Sequence, residues 1–477
     1  MNRRPFLLLL PLALPLCGCL LGPDYVRPEA PSDLPSAFRG APDGEPAAAA
    51  GEGAAADAAA WWRAWDDPLL VRLLDEGTST NLTLREAQAR LRQSRASLDA
   101  ARAALRPTLG LSGSATRART YDPDETSSSY RAGADAGWEI DLFGRNRRTA
   151  EASAAELEAA GLTVEDARLS LRAEIASDYV ALRLAQETLA LAHSNLAAEV
   201  RSAEIARAKG ASGFSSGSDV AAAEASIATA RAALPARVAA VSAAARALER
   251  LLARPPFALE EELAAPAPIP GAPPPPVAAP AETLARRPDV RKAAAALHAA
   301  TARIGAARAA RYPSVNLAAG AALSAASLSE WSEAVKSLSL GPTVSLPLFR
   351  GGALAAAERQ ARAAADEALL AYHDTVLAAV HETQELWTRF AAERERTEPL
   401  SAAVARDEEA LEAALELYRA GKADYTAVIV RQTALFSARQ VLAQHRADLA
   451  SLAVSLAKAV GGFPPGEEIT PPPAVWP

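Results

Sequence analysis

The residues of this 477-residue chain that are able to do covalent chemistry are few, and their spacing argues against catalysis. Gly213-Phe214-Ser215-Ser216-Gly217 satisfies the G-x-S-x-G pattern of a serine nucleophile. Such a nucleophile needs a sharp turn between a strand and a helix, whereas both flanks of this pentad read as helix. The five histidines, His193, His298, His373, His381 and His445, are scattered over helical segments. His373 and His381 are eight positions apart (381 − 373). That is not the i, i+4 spacing that sets two imidazoles on one helical face around a metal. Neither a phosphate-cradling Walker loop nor a dinucleotide fingerprint occurs in the sequence. The expectation is no enzyme, no metal and no cofactor.

The one covalent chemistry the sequence supports is acylation. Met1-Asn2-Arg3-Arg4 precedes an apolar run over residues 5–16, which fits an export signal and is too short to cross a bilayer. The run ends Leu16-Cys17-Gly18-Cys19, which resembles a lipoprotein box. Leu16 stands at −3, the small Gly18 at −1, and Cys19 is the residue to be acylated. Cys17 fits poorly, because bulky Leu16 precedes it; the competing reading is a disulfide or two incidental signal-peptide cysteines. Removal of residues 1–18 would leave one cysteine and no internal disulfide. Each buried methylene contributes roughly 0.8 kcal/mol, so more than one acyl chain makes a stable anchor. Leu20 follows Cys19 in place of the aspartate that commonly retains bacterial lipoproteins at the inner membrane, which favours the outer membrane.

Composition narrows the class further. The 57 acidic and 50 basic side chains give a net charge of −7, and without a basic cluster interleaved with aromatics this argues against nucleic-acid binding. Half of the residues are hydrophobic but aromatics are only 5%. Much of the apolar content is alanine, which suits close helix-on-helix packing better than a thick core. After the signal, no stretch approaches the ~20 apolar residues of a transmembrane helix.

The elements repeat. Arg106-Pro107 and Arg311-Tyr312-Pro313 each open a short alternating segment. Each is followed by a second segment, ending Asp141-Leu142-Phe143-Gly144-Arg145 and Pro347-Leu348-Phe349-Arg350-Gly351. Pro107 to Phe143 is 36 positions (143 − 107), as is Pro313 to Phe349 (349 − 313). In the second segment Tyr130, Ala132, Ala134, Ala136, Trp138, Ile140 and Leu142 share one face, and Arg131, Asp135, Glu139 and Asp141 the other. The fourth sets Leu338, Leu340, Pro342, Val344, Leu346 and Leu348 against Ser337, Ser339, Gly341, Thr343 and Ser345. Strict alternation over about ten residues is what a tilted membrane β-strand needs, apolar face to lipid and polar face to a lumen. The alternative is two hairpins packed on a soluble domain. Four strands cannot close a barrel, and lipid does not tolerate open edges. Two copies would bring eight strands, with little room for a channel, so three copies and twelve strands are favoured.

Each hairpin leads into a long segment rich in Ala, Glu, Arg and Leu. Residues 145–209 and 350–420 number 65 and 71, or about 98 and 106 Å of continuous helix at 1.5 Å per residue. Returning helices over 219–252 and 426–460 meet them, and the helices at 81–105 and 291–311 should complete the cylinder; Leu234-Pro235 suggests a local kink. The expected fold is an internally duplicated α+β membrane protein with four strands per chain. Its three copies would form a twelve-stranded membrane β-barrel continued by a long α-helical coiled-coil tube. Residues 1–18 are the signal and 19–80 an anchored arm with Trp61, Trp62 and Trp65 as packing anchors. The first repeat spans 81–253, with hairpin 107–142 and helical hairpin 145–252. A stiff proline-rich linker over 254–281 precedes the second repeat at 282–462, with hairpin 313–348 and helical hairpin 350–460. Residues 463–477 form a tail. The tips correspond as well: Gly213 to Val220 matches Gly421 to Val428, and Ser216 and Asp424 read as N-caps.

At this point the chain resembles the outer-membrane efflux proteins (TolC-like), in the lipoprotein, NodT-like subgroup that serves resistance-nodulation-division pumps. The residues that carry the resemblance are Cys19 with 22–28, 61–69, 141–145, Arg286-Arg287-Pro288-Asp289-Val290, Ala302-Arg303-Ile304-Gly305, 341–352 and 418–424. The resemblance implies a homotrimer in outer-membrane lipid with a periplasmic helical tunnel. A periplasmic adaptor would dock at tips marked by Gly213, Ser216, Asp219, Gly421 and Lys422, and an inner-membrane pump would supply energy and specificity. Tyr418 matches a family tyrosine that helps hold the closed state. With Asp424 and Arg431 it is expected to form a periplasmic gate, so replacing Tyr418 and Asp424 together should leak small solutes. Two departures stand out. Val430, with Arg431 beside it, occupies the place where relatives usually carry an aspartate that narrows the entrance. The constriction would then be apolar or cationic, or Val430 packs between helices. The first tip is also longer before its glycine, through Lys209-Gly210-Ala211-Ser212. A passive exit duct for small molecules is the favoured function. A duct for protein secretion is the alternative, and a non-transporting surface lipoprotein is disfavoured by the duplicated hairpins.

Overall fold

The computed structural model describes residues 20–28, 35–41, 61–212, 215–275, 277 and 279–462. The signal segment, Cys19, the tail, and Gly213 and Phe214 of the first tip lie outside them. In chain order the elements are α1 (Pro68–Thr80), α2 (Leu82–Ala103), β1 (Thr108–Tyr121), β2 (Asp124–Ile140), α3 (Arg145–Ala211) and α4 (Gly217–Leu251). There follow α5 (Glu260–Leu263), α6 (Pro280–Arg286), α7 (Pro288–Ala309), β3 (Ser314–Ala325), a 3₁₀ turn (Leu328–Glu333), β4 (Val335–Ser345), α8 (Ala353–Arg419) and α9 (Tyr425–Ala459). The duplication is numerical. Both α2 and α7 have 22 residues, α3 and α8 have 67, and α4 and α9 have 35. Sixty-seven residues make about 100 Å of helix, and no helix is long and apolar enough to cross a membrane among the described residues. Pro235 and Pro399 lie within α4 and α8, which remain helical through them. The 254–281 segment is not wholly extended, since it contains α5 and the start of α6.

Contacts divide the chain into two units, residues 1–29, 89–162 and 291–375, and residues 30–88, 163–290 and 376–477. The first holds the four-stranded antiparallel sheet, in order β1-β2-β3-β4 with β1 and β4 as edges. Its register carries one apolar face across all four strands. Leu111 pairs with Ala134, Ala134 with Ala321, and Ala321 with Leu338. Trp138 pairs with Leu317, and Leu317 with Pro342. The opposite face carries Ser112, Asp135, Asn316, Ser339 and Thr343, and Ser112 donates to Asp135 at 3.0 Å. The strands are 14, 17, 12 and 11 residues long. The first hairpin is thus longer than the ten per strand expected, because its outer rungs (Thr116↔Ser129 to Tyr121↔Asp124) continue past the end of β3. Leu111, Leu338 and Leu340 are 88, 86 and 74% exposed. A face this greasy and this open demands either lipid or a partner.

Beneath the sheet, residues 20–28 are strapped to the same unit. Leu21 N–H donates to the Phe143 carbonyl at 3.4 Å. The buried Arg148 donates to the Leu21 carbonyl at 3.1 Å and to Asp24 at 2.7 Å. Tyr25 stacks on His298 with centroids 4.4 Å apart. Gly22 has φ +99, and a Cβ there would stand 2.4 Å from Gly305 Cα. Two motifs far apart in sequence are therefore one contact that only glycine on glycine permits.

In the second unit Trp61, Trp62 and Trp65 form an aromatic cluster with centroids 4.7–6.5 Å apart, and Trp61 Nε1 donates to the Pro274 carbonyl at 3.0 Å. Asp67 caps α1 by accepting from Leu69 and Leu70 N–H, and it receives the Tyr179 hydroxyl at 2.5 Å. Burial, with that carboxylate adding to it, pushes the Tyr179 phenol up to about 12. Arg287 grips Asp289 with two bonds of 3.0 and 2.7 Å, meets Glu382 at 2.7 Å, and donates to the Ala459 carbonyl at 2.9 Å. The Arg-Arg-Pro-Asp run is thereby a clamp between the start of α7 and the end of α9.

Candidate functional site at the helix tips

The tips are built by two different ways of turning a helix back. At the first, Ser216 caps α4 through a reciprocal box: Asp219 N–H donates to Ser216 Oγ at 3.2 Å, and Ser216 N–H to Asp219 Oδ2 at 3.4 Å. Ser215 Oγ donates to the same Asp219 oxygen at 2.8 Å. The serine of the G-x-S-x-G pattern is thus spent on holding a turn between two helices. At the second tip α8 ends in a six-to-one and five-to-two pair, Lys422 N–H to the Leu417 carbonyl at 2.9 Å and Gly421 N–H to the Tyr418 carbonyl at 3.0 Å. Gly421 takes φ +71, the left-handed conformation this ending requires. Asp424 occupies the N-cap position of α9 with extended backbone, but its side chain makes no capping bond. This corrects the expected side-chain cap. The counterpart of Asp219 is Ala427, which has no carboxylate to complete a box.

The interior of the tips is narrow and mixed. Ala203, Ala206 and Ala223 are fully buried with Ile227, Tyr418, Tyr425 and Val428, so small residues let the helices close on two tyrosines. The Tyr418 and Tyr425 rings lie 5.3 Å apart. Lys209 is the residue the sequence reading did not assign to this site. Its ammonium lies 4.3 Å from the Tyr418 ring centroid and donates to the Tyr418 carbonyl. It therefore ties the end of α3 to the end of α8 by a cation–π contact and a charge-assisted bond. Ser215 Oγ stands 3.5 Å from the Tyr418 hydroxyl. The signal for Lys209 was only its place in the longer first tip.

The expected gate residues do not converge within one protomer. Tyr418 is buried, whereas Asp424, Val430 and Arg431 are exposed, Val430 by 55%. Among the described residues neither Asp424 nor Arg431 makes an ion pair. On α9 the residues that turn inward are Tyr425, Val428, Gln432 and Leu435, a helical stripe that leaves Val430 and Arg431 on another face. Ser216, Gly421 and Lys422 are exposed and Asp219 is half-buried, while Gly213 lies outside the described residues.

Behind the aromatic pair sits a polar seam. Gln432 Nε2 donates to Ser202 Oγ at 2.7 Å, while among the described residues Gln432 Oε1, Glu199 Oε2 and the Tyr425 hydroxyl have no hydrogen-bond partner. Burial raises the Glu199 carboxyl, against a lowering bond from Ser226. Burial, then Glu199 and Tyr418, pushes the Tyr425 phenol up to about 12. A raised carboxyl favours the neutral form in the folded tip. Its stabilising contribution is full below the ordinary glutamate range and is lost as pH rises through the folded value. Glu199→Gln should therefore stabilise the tip near neutral pH. The gain should vanish toward pH ~4, where the native glutamate is itself neutral. Hydrogen exchange of the α3 and α9 tip amides at the two pH values measures it; an equal effect at both would exclude ionisation as the cause.

The relatives agree with this architecture. The sequence profile described as outer membrane efflux protein matches residues 73–254 and 279–462, one match to each half. Nodulation protein T of Rhizobium leguminosarum bv. trifolii is 30% identical over 478 residues, covering 94% of this chain and 96% of the relative. The toluene efflux pump outer membrane protein TtgF of Pseudomonas putida is 30% identical, covering 94 and 95%. Among solved structures, the outer-membrane channel OprN superposes with a TM-score of 0.82 at 31% identity, covering 93% of this chain and 99% of that one. The open-state MtrE outer membrane channel of Neisseria gonorrhoeae gives 0.80 at 26% identity, covering 93 and 98%. With both halves matched, and a sheet and tips to account for the match, the chain belongs to the outer membrane efflux protein family.

Proposed function

We propose that three copies of this chain form the exit duct of a tripartite efflux system, passively releasing small molecules such as drugs. A periplasmic adaptor and an inner-membrane pump of the resistance-nodulation-division class deliver them. The observation that carries the reading is the apolar face running in register over all four strands of a sheet with two open edges. In hydrocarbon such edges must be paired, and three copies supply twelve strands. The relatives include the outer membrane component of a toluene efflux pump, which supports small-molecule cargo over the protein-secretion alternative. The duct performs no catalysis, and specificity resides in the pump. Dye and antibiotic accumulation in the native host, with the gene deleted and then restored, tests this. Reversible accumulation is expected. Unchanged accumulation across a broad panel, with a protein missing from the culture medium, would move the assignment to secretion.

Cys19 carries the lipid in this reading, with exposed Ser216, Gly421 and Lys422 receiving the adaptor. The support for the anchor is positional: Leu20, the next residue, packs against Gly144, four positions after β2 ends (144 − 140). The acyl chains would then enter the leaflet at the rim of the sheet. Cys19→Ser should abolish incorporation of radiolabelled palmitate; retained label would place the anchor elsewhere.

A further inference from the structure

The outward, apolar face of the sheet ends differently on each strand. Read away from the long helices, β2 passes from Ile140 through Trp138 to Tyr130 and then to Ser128 and Thr126, and β3 runs from Val315 to Leu323 and Ala325. Neither meets a cation. On β1 the same face runs Leu109, Leu111, Gly113, Ala115 and then Arg117 and Arg119. On β4 it runs Val344, Pro342, Leu340, Leu338 and then Lys336. The cations therefore stand on the two edge strands, which become neighbours across each seam when copies of the chain close a barrel.

The sheet's own borders show that these cations share one height. Along the hydrogen-bonded rows Lys336 is level with Leu323, Ala132 and Gly113, four residues short of Arg117. Strands in a membrane barrel tilt by about 35–45°, so such rows slope relative to the membrane plane. The border nearest the helices has the same slope. β4 ends at Ser345, paired with Ser314, whereas β1 begins at Thr108, level with Gly137 and Ala318, four residues higher. One membrane plane thus passes through both Lys336 and Arg117. From Ile140 to Tyr130 the apolar band spans ten residue steps, a height of about 26 Å at ~3.4 Å per residue and that tilt. This is one hydrocarbon thickness, and it puts the cations in the headgroup layer of the leaflet away from the helices.

Their partners within the chain are uneven. Arg119 is engaged by Asp124 through two 2.8 Å bonds and lies 5.4 Å from the Tyr121 ring centroid. Arg117 and Lys336 are exposed, and among the described residues neither makes an ion pair. Glu330 and Glu333 are the carboxylates of the neighbouring β3–β4 connection. Neighbouring strands lie ~4.8 Å apart, and like charges facing across them destabilise the pairing. A bound anion removes that cost, and a phosphate with several oxygens serves both an arginine fork and an ammonium.

We propose that each seam of the assembled barrel binds a phosphorylated glycolipid of the outer leaflet, its phosphate held between Arg117 of one copy and Lys336 of the next. The site rests on the three-copy reading above and does not exist in a single chain. Native mass spectrometry of the delipidated protein tests it. The probes are the bis-phosphorylated, acylated glucosamine disaccharide lipid A, the same lipid with its phosphates removed, and inorganic phosphate. Up to three lipid A molecules should be retained per trimer, with affinity at least tenfold above the dephosphorylated lipid, and inorganic phosphate at equal concentration should not persist. Arg117→Gln with Lys336→Gln should erase that preference, whereas the lumen-facing Arg131→Gln should keep it. Equal retention of the two lipids, or a preference undiminished in the double variant, overturns the site alone. A delipidated assembly whose mass is not three copies overturns the trimer reading and the site with it.

Discussion

Replacing Lys209 and Tyr418 together with alanine is expected to raise the conductance of the reconstituted channel roughly tenfold or more, with matching entry of large antibiotics into cells. Lys209 lies 4.3 Å from the Tyr418 ring centroid and also donates to its carbonyl, tying α3 to α8 where both helices end. A partly desolvated cation–π contact contributes about 1–2 kcal/mol, and a hydrogen bond from a charged group about 1.5–3 kcal/mol. Tyr418 adds its own burial within the small-residue cluster. Every 1.4 kcal/mol is a factor of ten in the closed-to-open ratio, so the tie alone outweighs any single exposed charge at the tip. The pairing originally expected, Tyr418 with Asp424, should leak less than Lys209 with Tyr418, because Asp424 is exposed and caps nothing. Planar-bilayer conductance of the two double variants ranks them. Equal leakage of both double variants would show that Lys209 contributes no more to closure than Asp424 does.

Ala134→Arg should remove the assembled protein from the outer membrane. Ala134 pairs with Leu111 on one side and Ala321 on the other, in the middle of the apolar face. A cation at the bilayer midplane of a membrane barrel costs about 2–4 kcal/mol, incurred once per copy in a trimer. A charge of the same sign on the other face, Ser339→Arg, should leave assembly intact and narrow the lumen. The readout is the heat-modifiable trimer in outer-membrane fractions, followed by conductance for the lumen variant. Normal assembly of Ala134→Arg together with failure of Ser339→Arg would invert the assignment of the two faces.

These two predictions also divide what was legible in the chain from what was not. The apolar face was legible because alternation is local. A strand places successive side chains on opposite faces, and lipid on one side with a lumen on the other enforces the pattern residue by residue. The long helices and their returns were legible from composition and from the spacing of turn residues, and the duplication appeared as equal intervals. The outer rungs of the first hairpin were underestimated for the converse reason. Beyond Ala115 and Tyr130 no hydrocarbon contrasts the faces, so Thr116–Tyr121 and Asp124–Ser129 pair without an apolar stripe to announce them.

The site itself was only half written in the sequence. Tyr418, Gly421 and the Ser216–Asp219 box announce themselves by spacing, because a helix end needs local chemistry to satisfy its backbone groups. Lys209 against Tyr418, Glu199 beside Tyr425 and Gln432 on Ser202 join residues about 200 positions apart. So does the clamp of Arg287 on the Ala459 carbonyl, and Gly22 meets Gly305 across an even longer interval. Alanine-rich helices offer many nearly equivalent faces, so periodicity alone does not choose which one packs inward. That choice is made by how each helix is rotated against its neighbours, since turning α9 about its own axis would exchange buried Tyr425 and Val428 for exposed Val430 and Arg431. Local patterning determined the strands, the rods and the turns of this protein. Only packing between distant segments decided which residues close its tips.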